Sequence, residues 1–322
     1  MQNGDNIPLV RTLRERCRKC YTCVRECPAK AIRIVDGQAE VLPQRCIGCG
    51  NCVRVCSQKA KQMLDSKDVV RNLLTSEKTV AAIIAPSFPA AFEWDTEQFI
   101  GTVKALGFDM VCEVAFGADL VADRYRKLLE ENPAQRFIAT SCPAVVAYVE
   151  RYHPDLVPHL VPIVSPMIAE ARMLRQRHGE NLEIVFIGPC IAKKGEAASD
   201  ILPDKIEAMT FIELQEMIDE ANIDPVDVTP RDFDPPVGGA GSLFAISRGM
   251  LQAANITEDL VDGHIVSTDG RAELVGAMKE FADGHLDARL LEVLACNGCF
   301  MGPGMPSEGP LFGRRAKVSR YV

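Results

Sequence analysis

The chain has 322 residues, 47% of them hydrophobic and 25% charged, and its 36 Lys and Arg against 44 Asp and Glu leave a net charge of −8. That balance suits a folded globular protein of two or three domains, and its sign argues against a nucleic-acid or anionic-membrane role. The opening residues to Arg16 lack the apolar run of a signal peptide and no stretch nears the roughly 18 apolar residues of a membrane span, so a cytoplasmic location is expected.

In chain order, the first signal is a repeat. Cys17, Cys20, Cys23 and Cys27 follow C-x2-C-x2-C-x3-C, with Pro28 next; Cys46, Cys49, Cys52 and Cys56 repeat the pattern, with Ser57 in place of the proline. Three thiolates on one such loop wrap three corners of a cubane, and the fourth comes from the other motif. The spacing therefore predicts one [4Fe–4S] cluster on Cys17, Cys20, Cys23 and Cys56, and another on Cys46, Cys49, Cys52 and Cys27. C-x2-C pairs also bind zinc, but eight cysteines in this doubled order favour iron–sulfur chemistry and single-electron transfer. Between the motifs, Ala31–Val35 and Gln38–Leu42 flank Asp36-Gly37, a β-hairpin pattern. Residues 1–66 are expected to form a ferredoxin-like domain.

Beyond it, short apolar runs alternate with amphipathic helices, an α/β pattern. Strands are expected at Thr79–Ala85, Met110–Ala115, Arg136–Thr140 and Glu183–Ile187. Ser165-Pro166 reads as the N-cap and first position of a helix that stops near Gly179, and Thr210 with Glu213 as a capping box. Arg271–Asp283, closed by Gly284, reads as another helix, and Ile223–Pro236 as a surface loop. Residues 67–322 are expected to form a second domain of two α/β lobes, about 76–165 and 166–300, with a C-terminal tail. Ala85-Pro86-Ser87, Ser141-Cys142-Pro143 and Gly188-Pro189-Cys190 each follow a predicted strand, where open α/β sheets bind ligands.

Cys142, Cys190 and the pair Cys296 and Cys299 could hold a third cubane; Cys142 and Cys190 could equally be buried structural thiols. Cys112, inside an apolar strand, reads as a buried hydrophobe. The five histidines show no ligand spacing. Gly238-Gly239-Ala240-Gly241 lacks the Lys-Ser/Thr of a phosphate loop and reads as close backbone packing near the cofactor. The basic stretch Arg314–Lys317 reads as solvated.

Thr140–Pro143, Pro189–Glu196 and Glu292–Gly304 resemble, in order, the three signature segments of the [FeFe]-hydrogenases; Ala85–Ser87, Gly107–Asp109 and Phe116–Leu120 match that family as well. The resemblance covers essentially the whole chain. It implies an H-cluster, a [4Fe–4S] cubane on Cys142, Cys190, Cys296 and Cys299 joined through Cys299 to a di-iron subsite with CO, CN and a bridging dithiolate. Pro86, Ser87 and Lys193 would surround the cyanides, with Met167 and Gly188 also beside the cofactor. The substrates would be H2 and protons, and dedicated maturation proteins would insert the subsite.

Five departures stand out. Ser141 replaces the proton-relaying cysteine, Arg124 and Tyr125 replace an acidic pair, Gly188 a methionine and Met167 a glutamine, and the last two cluster cysteines are one residue closer. The pattern resembles the sensory hydrogenases and implies slow, reversible hydrogen activation, with Ser141, Lys193 and Ser87 as the residues nearest the chemistry. Two rivals remain at this stage: a fully active hydrogenase, and a cubane-only protein similar to the hydrogenase-like cluster-assembly factors.

Overall fold

The computed structural model describes residues 8–199, 205–257 and 263–322. Near the N-terminus, strand β1 (Val10–Thr12) pairs antiparallel with β4 (Lys61–Met63), while β2 (Ile32–Val35) and β3 (Gln38–Val41) form the expected hairpin. Its two turn residues, Asp36 and Gly37, both have positive φ, the geometry whose twist matches a two-residue hairpin. The two cysteine motifs run through single-turn helices, Thr22–Arg25 and Asn51–Arg54, on either side of this hairpin.

The rest is built on two parallel sheets. One has the order β6 (Met110–Glu113), β5 (Val80–Ile84), β8 (Glu183–Gly188), β9 (Ile206–Thr210); the other has β10 (Ile265–Asp269), β11 (Leu290–Leu294), β7 (Phe137–Ile138). All five residues of β5 and of β11 are buried. Central parallel strands covered on both faces must read as unbroken apolar runs, which is how β5 announces itself in the sequence. Each sheet takes strands from both sides of residue 165, so the two lobes interleave along the chain.

Several expectations need correction. The second predicted strand ends at Glu113, because Val114 already opens the helix Val114–Glu131; the third keeps only Phe137 and Ile138. The loop 223–236 is irregular as expected, but it is not merely superficial. Phe233 is buried in the core, and Asp234 accepts from the Val111 N–H (2.7 Å) and pairs with Lys104 (2.7 Å). The basic tail is a docked helix, Leu311–Tyr321: Val318 is fully buried, Arg314 donates to the Phe300 carbonyl (3.2 Å) and the Tyr321 hydroxyl to Glu113 (2.8 Å). Its i, i+4 spacing of Arg314 and Val318 sets both on one inward face. The capping box at Thr210 is present, and Gly179 and Gly284 end their helices with positive φ. No helix among the described residues is long and apolar enough to cross a membrane.

Candidate metal centre

All thirteen cysteines are free. In the first domain, their loops are locally programmed: the Ala31 N–H donates to Cys27 Sγ and the Ala60 N–H to Cys56 Sγ, both at 3.3 Å, so the two halves repeat in hydrogen bonding as in sequence. Cys17, Cys20, Cys23 and Cys56 line one small cavity together with Tyr21 and Lys61. Cys27, Cys46, Cys49 and Cys52 are mutual electrostatic neighbours in a second set. The sets differ in environment. Cys20 is exposed and held below the ordinary thiol range, chiefly by the Thr22 backbone N–H. Cys49 is pushed up to about 12 by burial and by the thiols around it, with the Asn51 N–H acting in the opposite sense.

The third set is assembled from distant segments. Cys142 is the N-cap of the helix Pro143–Tyr152, just beyond β7; Cys190 follows β8; Cys296 and Cys299 follow β11. The carboxyl ends of strands from both sheets thus converge, as ligand sites of α/β folds do. Burial pushes Cys190 up to about 11, with Cys142 adding to the rise and Lys193 opposing it. Cys296 and Cys299 also rise, through burial and then through the other thiols of the set. Thiols brought this close suit a metal, because a thiolate bound to iron exchanges its proton for the metal. Among the described residues no three His, Cys, Asp or Glu gather tightly enough for one metal ion. Four cysteines from three segments fit the thiolate donor set of a [4Fe–4S] cubane. Cys49 is among the charges acting on Cys296, which places the second set next to the third.

Of the other predicted residues, Lys193 acts on Cys190 and Cys299 and Ser141 adjoins Cys142. Lys193 is 8% exposed, and its ammonium donates to Ser165 Oγ (2.7 Å) and Glu196 Oε2 (2.6 Å). Ser165 occupies the N-cap of the helix Pro166–His178, as expected, but its hydroxyl makes no capping bond and serves the lysine instead. Pro86 and Ser87 are buried in the turn after β5, and neither Ser87 Oγ nor Ser141 Oγ has a hydrogen-bond partner. Buried hydroxyls are ordinarily satisfied, so these two orphans fit a bound polar group that the protein atoms alone do not supply. Tyr125, fully buried, reaches Thr140 with its hydroxyl, accepting from the backbone N–H (2.8 Å) and lying 3.1 Å from Oγ1. Ser141 lies near enough to favour ionised Tyr125, yet makes no bond of full geometry.

The two remaining predicted residues are buried as well. Met167 is in the core, and at Gly188 a Cβ would lie 2.6 Å from the Phe186 ring, so that ring occupies the space a side chain would need. Cys112 is fully buried in β6, as expected. The glycine run packs closely on the helix Val114–Glu131: Asp119 accepts from Gly239 N–H (2.7 Å) and Gly241 N–H (2.6 Å).

Three groups escape a reading of the sequence. Glu170 is fully buried with neither carboxylate oxygen in hydrogen-bond geometry; burial pushes it up to about 8, with Glu113 adding and the nearby Gly117 N–H only partly offsetting. A glutamate inside the apolar stripe Met167, Ile168, Ala171, Leu174 was the available signal. Glu213, beyond its capping box, accepts from buried Lys194 (2.7 Å) and from the Ser66 N–H (2.7 Å), joining the interdomain linker to the segment after Cys190. The third is Lys61, buried in the first domain.

Comparison with known proteins agrees with this architecture. Residues 9–57 match the family described as "4Fe-4S dicluster domain", and residues 78–303 match "Iron only hydrogenase large subunit, C-terminal domain". Iron hydrogenase 1 of Clostridium pasteurianum is 27% identical over 303 residues, covering 76% of this chain and 53% of that protein, so the chain spans about half of that relative's length. The cytosolic Fe-S cluster assembly factor NAR1 of Yarrowia lipolytica is 29% identical over 126 residues, covering 35% of this chain and 26% of that protein. A variant of the apo [FeFe]-hydrogenase HydA1 from Chlamydomonas reinhardtii superposes with a TM-score of 0.67 at 20% identity, over 79% of this chain and 88% of its own, a likeness of fold. The chain is thus an iron–sulfur protein with a ferredoxin-like domain ahead of a mixed α/β hydrogenase domain, and it belongs to the [FeFe]-hydrogenase family.

Proposed function

We propose that the protein binds hydrogen and activates it slowly and reversibly at an H-cluster, acting as a hydrogen or redox sensor. In this reading Cys17, Cys20, Cys23 and Cys56 hold an outer [4Fe–4S] cluster, and Cys27, Cys46, Cys49 and Cys52 an inner one. Cys142, Cys190, Cys296 and Cys299 hold the cubane of the H-cluster, and Cys299 also reaches the di-iron subsite. When bound, that group would supply heterolytic cleavage of hydrogen, and the two ferredoxin-type clusters would supply single-electron transfer. Dedicated maturation proteins insert the subsite, and the protein works in the cytosol with an electron or signalling partner.

The chain's own residues then have definite tasks. Lys193 presents a buried cation to anionic ligands of the subsite, where an uncompensated negative group would be costly. Ser165 and Glu196 hold its ammonium in place. Ser87, with its unpartnered hydroxyl, offers a hydrogen bond to the same ligands, while Pro86 and Met167 exclude water. The observation that carries the sensory reading is Ser141, which stands at the relay position with a buried, unpartnered hydroxyl. A thiol there titrates near 8.5 and passes protons at neutral pH; a serine hydroxyl holds its proton. Tyr125, where an acid is expected, is held by Thr140, and burial raises its pKa despite that contact.

The partial likeness to a cluster-assembly factor favours a second reading, a cubane-only protein. Ser87 weighs against it, since a cubane alone leaves its buried hydroxyl without a partner. Infrared spectra of anaerobically matured protein, before and after hydrogen, decide the matter. Carbonyl and cyanide bands that shift with hydrogen are expected. Cubane iron without such bands would overturn hydrogen activation in favour of the cubane-only reading. Turnover as fast as that of an active hydrogenase would overturn the sensory role alone.

A further inference from the structure

Lys61 poses a problem that the hydrogen site does not solve. Residues 8–62 contain twelve Lys and Arg against four Asp and Glu. Eleven of those cations are exposed; Lys61 alone is buried, at 6% exposure. Its ammonium donates to Thr12 Oγ1 (2.5 Å) and to the Ala39 carbonyl (3.1 Å), both uncharged, and no carboxylate among the described residues pairs with it. An isolated buried ammonium is costly, so this position calls for an anion.

The sequence repeat sharpens the anomaly. Counting from the last cysteine of each motif, Lys61 is the counterpart of Ile32: Ala31 and Ala60 make the equivalent N–H to Sγ bonds, and Ile32 and Lys61 each begin the strand that follows. Ile32 is 7% exposed and apolar. The scaffold at this point accepts a buried hydrocarbon, yet the second half carries a charge. That charge lies beside the first cysteine set. Lys61 lines the same small cavity as Cys17, Cys20, Cys23 and Cys56.

We propose that Lys61 is an electrostatic tuning residue, whose buried ammonium beside the first cysteine set raises the reduction potential of the outer ferredoxin-type cluster. The inference rests on the reading above that these eight cysteines carry cubanes. A cubane with four thiolates is anionic, and reduction adds one electron and one negative charge. A fixed cation nearby therefore stabilises the reduced form over the oxidised one. The electron comes from hydrogen at the third centre, or from dithionite in a titration. Exposed Arg and Lys on the same domain contribute little, because water and salt screen them; burial makes Lys61 the exception. Clusters of raised potential accept electrons from hydrogen readily and return them reluctantly, which suits a device that registers reduction.

The test is a dithionite titration of the full, cluster-loaded chain followed by electron paramagnetic resonance, with iron analysis on every sample. Lys61→Ile installs the residue of the other half, and Lys61→Gln keeps a donor for Thr12 and Ala39 without the charge. Both should lower the reduced-to-oxidised ratio of the outer ferredoxin-type cluster at a fixed poise by about tenfold, equivalent to about 59 mV for one electron. Lys61→Arg should restore the ratio. Midpoints unchanged in Lys61→Ile and Lys61→Gln, at full iron content, would overturn the proposal and leave Lys61 a structural residue. Cubane signals absent from the unsubstituted chain would overturn the reading of the eight cysteines, and the tuning role with it.

Discussion

The outer cysteine set and the third set each present four thiols, but only the outer set carries an exposed one, Cys20, beside the buried Cys23. Around Cys20 the chain is exposed, and a backbone N–H holds the thiol below its ordinary range. Around Cys190, Cys296 and Cys299 burial and neighbouring thiols drive the values up, and Lys193 is the attractive charge at both Cys190 and Cys299. The outer site is one loop closed by a single distant cysteine. The third exists only because β7, β8 and β11 end at the same place. The difference separates two ways of gathering four thiols: local chain geometry, and the convergence of strand ends from both sheets.

The comparison breaks most sharply at a ligand. Cys299→Ala should abolish the third cluster entirely while both ferredoxin-type signals remain, as iron content and electron paramagnetic resonance would show. Simultaneous loss of all clusters would mean that the two regions do not assemble independently. Next in size, Ser141→Cys in matured protein should raise hydrogen turnover by about 10²-fold, the lower end of what a positioned proton relay contributes. An unchanged rate would show that protons take another route.

Glu213→Ala tests how firmly the regions are joined. It leaves the Lys194 ammonium buried without its partner, and should cost about 3–5 kcal/mol in denaturant unfolding, because one member of a buried pair then stands alone. The smallest effect is a pH slope. Glu170 keeps its proton in the folded chain up to about 8, whereas the unfolded carboxyl ionises in the ordinary range near 4.5. Between those values the folded chain binds more protons than the unfolded one, so stability falls as pH rises through that window. Glu170→Gln should flatten the slope and stabilise the protein above pH 8 by a few kcal/mol at most; an unaltered slope would mean that another group sets it.

Much of this molecule was legible beforehand. The two cysteine motifs, the hairpin at Asp36-Gly37, the capping box at Thr210 and the apolar strands β5 and β8 all rest on spacing or alternation within a few residues. Strands β9, β10 and β11 were not, since polar residues such as Glu207, Ser267 and Glu292 interrupt their apolar pattern and only parallel neighbours stabilise them. The C-terminal helix departs from its expectation only in part: Arg315 and Lys317 are exposed, while Arg314 finds the Phe300 carbonyl and Val318 the core.

What local chemistry dictates, sequence alone delivers: cluster-binding loops, caps, turns and the buried thiol of Cys112. Ser165 shows the limit. Its place before Pro166 marks a helix start, but whether its hydroxyl caps that helix or holds Lys193 depends on where β8 delivers the lysine. Lys61, Glu170 and Glu213 show the same limit for charge, because a side chain's electrostatic role is set by what surrounds it in space. Those surroundings come from segments far apart in the chain, and only the folded packing brings them together.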